Sequence, residues 1–225
     1  MPDKNVHEII NIRLRKTAEA LSKNNMEAFI ASDRAEALEI AKKLLADVRT
    51  VTMGGSMTAA ECGITNYLKN GGFEFYDRTA PGVTPEQIDE IYRKAFVCDA
   101  YISGSNAITE HGELYNVDGN SNRVAAMLYG PKKLIVVAGY NKIVANVDEA
   151  AKRVKEKAAP PNCLRLGIDN YCAKTGRCVS LEKQGGFFCD GCSSDSRICR
   201  NFVVMGPQKL KDRVKVILVA EELGY

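Results

Sequence analysis

Thr50-Val51-Thr52-Met53-Gly54-Gly55-Ser56-Met57-Thr58-Ala59-Ala60-Glu61 is the stretch on which the fold turns. β-Branched and apolar residues, a glycine pair and then helix formers opening on hydroxyl residues read as strand, tight turn and helix. Either Ser56 or Thr58 can cap that helix, and Glu61 stands three residues after Thr58, where it completes a capping box. The helix is expected to reach about Lys69, before Gly71-Gly72 ends it.

The same alternation extends in both directions. Upstream, Val6, Ile9, Ile10, Leu14, Ala18 and Leu21 line one face of a helix over residues 6–24. A strand at 28–31 and a helix at about 34–46 follow. Downstream come a strand at 73–76 and a helix opened by Thr84-Pro85-Glu86-Gln87, with Ile88, Ile91, Tyr92 and Ala95 as its buried stripe. A strand at 97–103, a hairpin around His111-Gly112, a helix at about 122–128 and an apolar strand at 134–138 continue the series. A helix over 147–157 is expected to stop at Pro160-Pro161, and strands return at 202–205 and 214–219. Strands separated by helices of this length predict an α/β protein with a mainly parallel sheet, because parallel neighbours need crossover connections.

A chain of 225 residues accommodates one large domain and a small module, so residues 1–225 are read as a single domain. With 31 basic against 28 acidic residues, the formal charge of +3 is too small a surplus to mark a nucleic-acid or anionic-membrane surface. No apolar run approaches the roughly 20 residues of a spanning helix, and Met1-Pro2-Asp3-Lys4-Asn5 lacks the apolar core of a signal peptide. A cytoplasmic location is the expectation, and in a reducing compartment the eight cysteines point to metal or redox work rather than disulfides.

Six of those cysteines fall in 162–200, a stretch of Cys, Gly, Ser and basic residues without usable periodicity that reads as a module inserted between elements of the main domain. Cys189-Asp190-Gly191-Cys192 places a glycine between close thiols, which permits a turn that aims both sulfurs at one centre. Four thiolates suit either zinc or a four-iron cluster, and the absence of histidine from the stretch removes mixed Cys/His zinc sites. Cys62 and Cys98, on a predicted helix and at a strand head, read as plain core residues.

Four segments together resemble the lactate-utilisation (LUD) domain family: Gly54 to Thr58 with Glu61 and Gly63; Gly104 to Leu114; Asp118 to Ala125; and Val137 to Val144. With the cysteine-rich stretch and the closing Gly224-Tyr225, the resemblance covers residues 6–225. It implies a three-layer α/β/α fold akin to CoA transferases and sugar-phosphate isomerases, and an association with bacterial oxidation of lactate to pyruvate. Cys172-x5-Cys178 and Cys192-x6-Cys199 look like the family's terminal cysteine motif, although here an insertion carrying Cys189 separates the two parts. The resemblance thus implies Cys172, Cys178, Cys192 and Cys199 as ligands, with Cys189 and then Cys163 as alternates. It also tilts the cofactor towards an iron–sulfur cluster of the 4Fe-4S type, with zinc as the alternative.

In an open parallel sheet the binding crevice lies beyond the C-terminal strand ends. The turn Gly54-Gly55-Ser56, with Thr58 behind it, offers backbone N–H groups to a carboxylate, phosphate or nucleotide. Asn106, Glu110, Asp118, Asn120, Asn122 and Arg123 belong to loops that the same topology brings to that rim. There Arg123 can clamp an anion, Lys142 can add a second contact, and Glu110 or Asp118 can serve as general base. The competing reading makes Asp118, Asn120 and Asn122 turn formers, Asn122 a helix cap, Lys142 a solvated lysine and His111 a surface residue. Three functions follow as expectations: a redox component of organic-acid oxidation with partner subunits, a non-redox transferase or ligase-like enzyme with structural zinc, and a non-catalytic subunit of a redox complex. Neither a Walker loop nor a dinucleotide fingerprint names a nucleotide cofactor.

Overall fold

A computed structural model describes residues 3–182 and 188–225; residues 183–187, inside the cysteine-rich stretch 162–200, lie outside the described residues. In chain order the first half contains α1 (Lys4–Lys23), β1 (Glu27–Ala31), α2 (Arg34–Leu44), β2 (Thr50–Met53), α3 (Met57–Glu61), α4 (Ile64–Asn70), β3 (Glu74–Tyr76), α5 (Pro85–Lys94) and β4 (Ala100–Ser103). The second half contains β5 (Ala107–Thr109), β6 (Leu114–Asp118), α6 (Asn122–Tyr129), β7 (Lys133–Gly139), β8 (Ile143–Val144), α7 (Val147–Arg153), α8 (Ala159–Arg165), α9 (Tyr171–Thr175), β9 (Asn201–Met205) and β10 (Val214–Val219).

Six strands form one sheet in the order β1-β10-β7-β4-β2-β3, and every neighbouring pair is parallel. The most apolar strands, β7 and β10, lie side by side inside it, as burial on both faces demands. Leu134, Val136 and Ala138 point into a core shared with Leu14 and Leu21 of α1 and Met127 of α6. Ile135 and Val137 point the other way, onto Ala37 and Ala41 of α2, Ala59 of α3 and Leu68 of α4. The result is the three-layer α/β/α arrangement. A second sheet, β8-β5-β6-β9, contains the expected hairpin, with Gly112 at φ +83° in its turn, and packs on α7 through Ala107, Tyr115, Ala150 and Val154.

Several boundaries depart from the sequence reading. The helix expected through Lys69 is two, because Gly63 adopts φ +74° between α3 and α4. Ser56 is the cap, accepting from Ala59 N, while Thr58 is buried within the helix and Glu61 accepts from Gly224 N instead of closing a capping box. The strand expected from Val97 begins at Ala100, with Val97 left exposed. The helix does not stop at Pro160-Pro161: a π-helical turn over Val154–Ala158 joins α7 to α8, and the prolines occupy the first turn of α8, where no N–H is required. Asp118, not Asn122, caps α6, its Oδ2 accepting from the backbone N–H groups of Arg123 and Val124.

Candidate functional site

The C-terminal ends of β2, β3 and β4 open into a cleft of about 800 Å³. One wall is Gly54-Gly55-Ser56 and the loop after β3, with Asp77 and Arg78; the opposite wall is Asn106, the Asp118-to-Arg123 turn, residues of α8 and residues 195–200. Glycine is required at Gly54, where a Cβ would stand 2.9 Å from the Tyr101 hydroxyl and 3.0 Å from the Arg123 stem. Of the sequence-predicted positions, Gly54, Gly55, Ser56, Asn106, Asp118, Asn120, Asn122, Arg123 and Lys142 line the cleft. Thr58 stands behind it, 0% exposed, within hydrogen-bonding distance of Lys142.

Glu110 is not brought there. It follows β5 and pairs with Arg13 of α1 at 2.6 Å, both side chains partly in water. Asp118 is at the rim, but its two oxygens accept three backbone N–H groups, those of Gly119, Arg123 and Val124. The Gly-Gly-Ser turn leads into a helix of five residues, too short to present much of a dipole.

Arg123 is half-buried and spends four donors on the protein. Its Nη1 donates to Asn116 Oδ1 at 2.7 Å and to the Met127 sulfur, and its Nη2 donates to Asn106 Oδ1 at 3.0 Å and Val117 O at 2.8 Å. Asn106 Oδ1 also accepts from Val117 N, so this residue too is tied into the wall. Burial holds the Arg123 pKa below its ordinary value. The guanidinium is a strut between β6 and α6 whose charge reaches the cleft, and a two-pronged clamp on a ligand would require it to release protein acceptors. Asn120 and Asn122 make no side-chain hydrogen bond to another described residue.

Cations that the sequence reading passed over also face the cleft: Arg78, Arg165, Arg197 and Arg200. Arg78 donates to the Tyr92 hydroxyl at 3.1 Å, and Arg165 to Asn162 Oδ1 at 2.8 Å. Arg200 donates to backbone carbonyls of Asp195 and Arg197. None of these four, nor Arg123 or Lys142, forms an ion pair with a carboxylate among the described residues. Only Asp77, Asp118 and Asp195 supply negative charge to the lining, and Asp77 is engaged by Lys69 at 3.1 Å. The one available sequence signal for Arg78 was its place in the loop directly after a strand; Arg197 and Arg200 simply flank the last cysteine.

Beside the cleft lies a narrow cavity lined by Cys172, Cys178, Cys192 and Cys199, together with Phe202 and Asn170. Arg197, Ile198 and Cys199 line both spaces. Arg197 threads the loop, its Nε donating to Cys199 O at 2.8 Å and Cys199 Sγ at 3.3 Å, and its Nη2 to Cys189 O at 2.7 Å. Cys189 itself is exposed, and Cys163 is buried with its sulfur 3.7 Å from Cys172 Sγ. Burial, then the neighbouring thiols, push Cys172 up to about 12, and burial raises Cys199 despite its Arg197 partner. Among the described residues no three His, Cys, Asp or Glu side chains are gathered tightly enough to hold a single metal ion. Cys62 and Cys98 are buried in the main body, each raised by burial to about 11.

No helix among the described residues is long and apolar enough to cross a membrane. No curated protein matches the chain in sequence. Among solved structures, a DUF162 family protein from Deinococcus radiodurans aligns at 14% identity over 93% of this chain and 98% of its own, with a TM-score of 0.49. eIF2B delta from Chaetomium thermophilum aligns at 19% identity, 49% and 48% coverage and a TM-score of 0.31. Ribose 5-phosphate isomerase from Plasmodium falciparum gives 18% identity, 48% and 52% coverage and a TM-score of 0.29. These likenesses are too distant to carry an argument, whereas the family model described as LUD domain matches residues 14–219, nearly the whole length. The chain belongs to the LUD domain family.

Proposed function

We propose that this chain is a cytoplasmic component of lactate or related organic-acid oxidation, holding a small anion in the cleft and a 4Fe-4S cluster on Cys172, Cys178, Cys192 and Cys199. The observation that carries the reading is the wall Arg197-Ile198-Cys199, which belongs at once to the cationic cleft and to the cavity lined by the four cysteines. Five arginines without carboxylate partners, Arg78, Arg123, Arg165, Arg197 and Arg200, favour an anionic ligand, whether carboxylate, phosphate or nucleotide, because each has an electrostatic deficit that a bound anion relieves.

The donor set suits a cluster, and the family resemblance tilts the choice away from zinc. Four thiols border one cavity, and soft thiolates are the ligands that iron–sulfur clusters take. When bound, such a cluster supplies single-electron transfer. The residues around it then have separable tasks: Arg197 fixes the loop through Cys189 and Cys199, and Phe202 and Ile198 keep water from the sulfurs. In the cleft, Arg78 and Arg165 hold the ligand's charge, and Asp118 keeps the rim in shape. Electrons would pass to partner subunits of a redox complex.

The test is anaerobic purification followed by iron, acid-labile sulfide and zinc analysis and visible absorption before and after dithionite. A brown preparation that bleaches, with about four irons per chain, supports the reading. Stoichiometric zinc in colourless protein would replace it with a transferase or ligase-like enzyme with structural zinc. Cluster without turnover of lactate and an artificial acceptor, restored by added partners, would make the chain a non-catalytic subunit.

A further inference from the structure

Lys142 follows β7, lines the cleft and is only 4% exposed. Its Nζ donates to Thr58 Oγ1 at 2.9 Å, and that hydroxyl donates onward to Leu223 O at 3.2 Å. No carboxylate among the described residues pairs with it. An ammonium has three N–H donors, and among the described residues only the Thr58 hydroxyl accepts from it. A neutral amine fits the same surroundings: Thr58 takes one N–H, and the nitrogen lone pair is left for the cleft. The charged and titratable groups around it are Arg153, Glu61, Arg123 and Cys62, and burial followed by the nearby Arg153 charge brings its pKa down to about 7.

We propose that Lys142 is a nucleophilic amine that condenses with the carbonyl carbon of a small 2-oxo acid, the acid being held in the cleft by its carboxylate. A lysine kept neutral by burial is an activated nucleophile, and a cationic lining selects a carbonyl compound that also bears negative charge. The nitrogen lone pair attacks the carbonyl carbon, and proton transfer from nitrogen to oxygen gives a carbinolamine. Loss of water breaks the C–O bond and forms C=N. Amine and oxo acid become imine and water, with no change of oxidation state and no further reactant. Thr58 is a positioning residue that orients the nitrogen. The inference rests on the cleft as an anion site and is independent of the cysteine centre.

The experiment treats the full chain with pyruvate and cyanoborohydride and locates the reduced adduct by peptide mass. One dominant adduct is expected, on the peptide carrying Lys142, with labelling at pH 8 about tenfold above that at pH 6 and level beyond, as a pKa near 7 requires. Lys142→Arg and Lys142→Met should each lose it, and Thr58→Val should slow it while Lys142 stays the labelled site. Adduct spread evenly over exposed lysines, labelling that climbs steadily to pH 10, or an adduct surviving in Lys142→Arg would overturn the proposal. If Lys142 is unlabelled yet calorimetry shows pyruvate binding that Arg78→Ala weakens, the imine falls and the anion cleft stands; if pyruvate, lactate and inorganic phosphate all fail to bind, both fall.

Discussion

A guanidinium drawn partly out of water is tolerable only if its N–H groups find acceptors, and half-buried Arg123 finds four of them on Asn106, Asn116, Val117 and Met127. Replacing it by methionine keeps most of the volume but leaves the Val117 carbonyl and the Asn116 amide oxygen without that donor. Arg123→Met is therefore expected to destabilise the fold by about 3 kcal/mol, read as a lower urea midpoint with an unchanged slope. From sequence alone Arg123 reads as a ligand clamp whose loss spares the fold; its three oxygen acceptors lie 6, 7 and 17 residues back along the chain, a separation no local pattern discloses. Lys142 behaves differently because its folded pKa of about 7 lies below that of an unfolded lysine, about 10.4. Between those values the unfolded chain binds more protons than the folded one, so stability rises with pH, by at most about 1.4 kcal/mol per unit. Below pH 7 both states are protonated and the penalty is constant. Denaturation midpoints at pH 7 and 9 should show that rise in the wild type and not in Lys142→Met.

At the scale of elements, what sequence discloses is what short-range physics controls. The apolar runs of β7 and β10, the capping box of Thr84 and Gln87 at α5, and the hairpin turn at Gly112 all stand where the pattern puts them. The choice of Ser56 over Thr58 as cap is decided at long range: Thr58 is drawn inward to Lys142 and Leu223, and Glu61 is drawn to Gly224. Pro160 and Pro161 stop a helix in isolation, but a π turn ahead of them shifts the hydrogen-bond register enough for the helix to resume. The cysteine loop follows the same division. Its composition marks it as special, whereas which sulfurs share a cavity depends on the path of α9 and of residues 192–202 around Arg197. Serine at Cys172, Cys178, Cys192 or Cys199 should each remove most of the bound iron and the visible absorption. Serine at exposed Cys189 should retain both, and Cys163→Ser decides the remaining rivalry, since retained iron there leaves the four-cysteine set intact.

The whole molecule builds its site from parts with unequal support. One wall of the cleft grows from β2, β3 and β4, whose side chains belong to the two cores flanking the large sheet, and neither core contains a residue of 162–200. The other wall includes residues 195–200, where Arg197, Ile198 and Cys199 double as the lining of the cysteine cavity, where Arg197 braces the loop, and where Cys199 packs at the edge of the smaller cluster under the second sheet. The halves should therefore come apart in order. Removing the centre, by chelation or by the double substitution of Cys172 and Cys199 to serine, should loosen the second wall while the sheet keeps its cooperative unfolding, because metal binding supplies most of the order in a segment of this kind. Hydrogen exchange is the suitable readout. Amides of 188–200 should lose protection by at least tenfold, those of β7 and β10 should stay within a factor of about two, and affinity for a small anion should fall with the first group, since Arg197 and Arg200 leave the cleft with the loop. Equal loss of protection in sheet and loop would mean that the cysteine centre supports the entire domain and that the division between body and module is wrong.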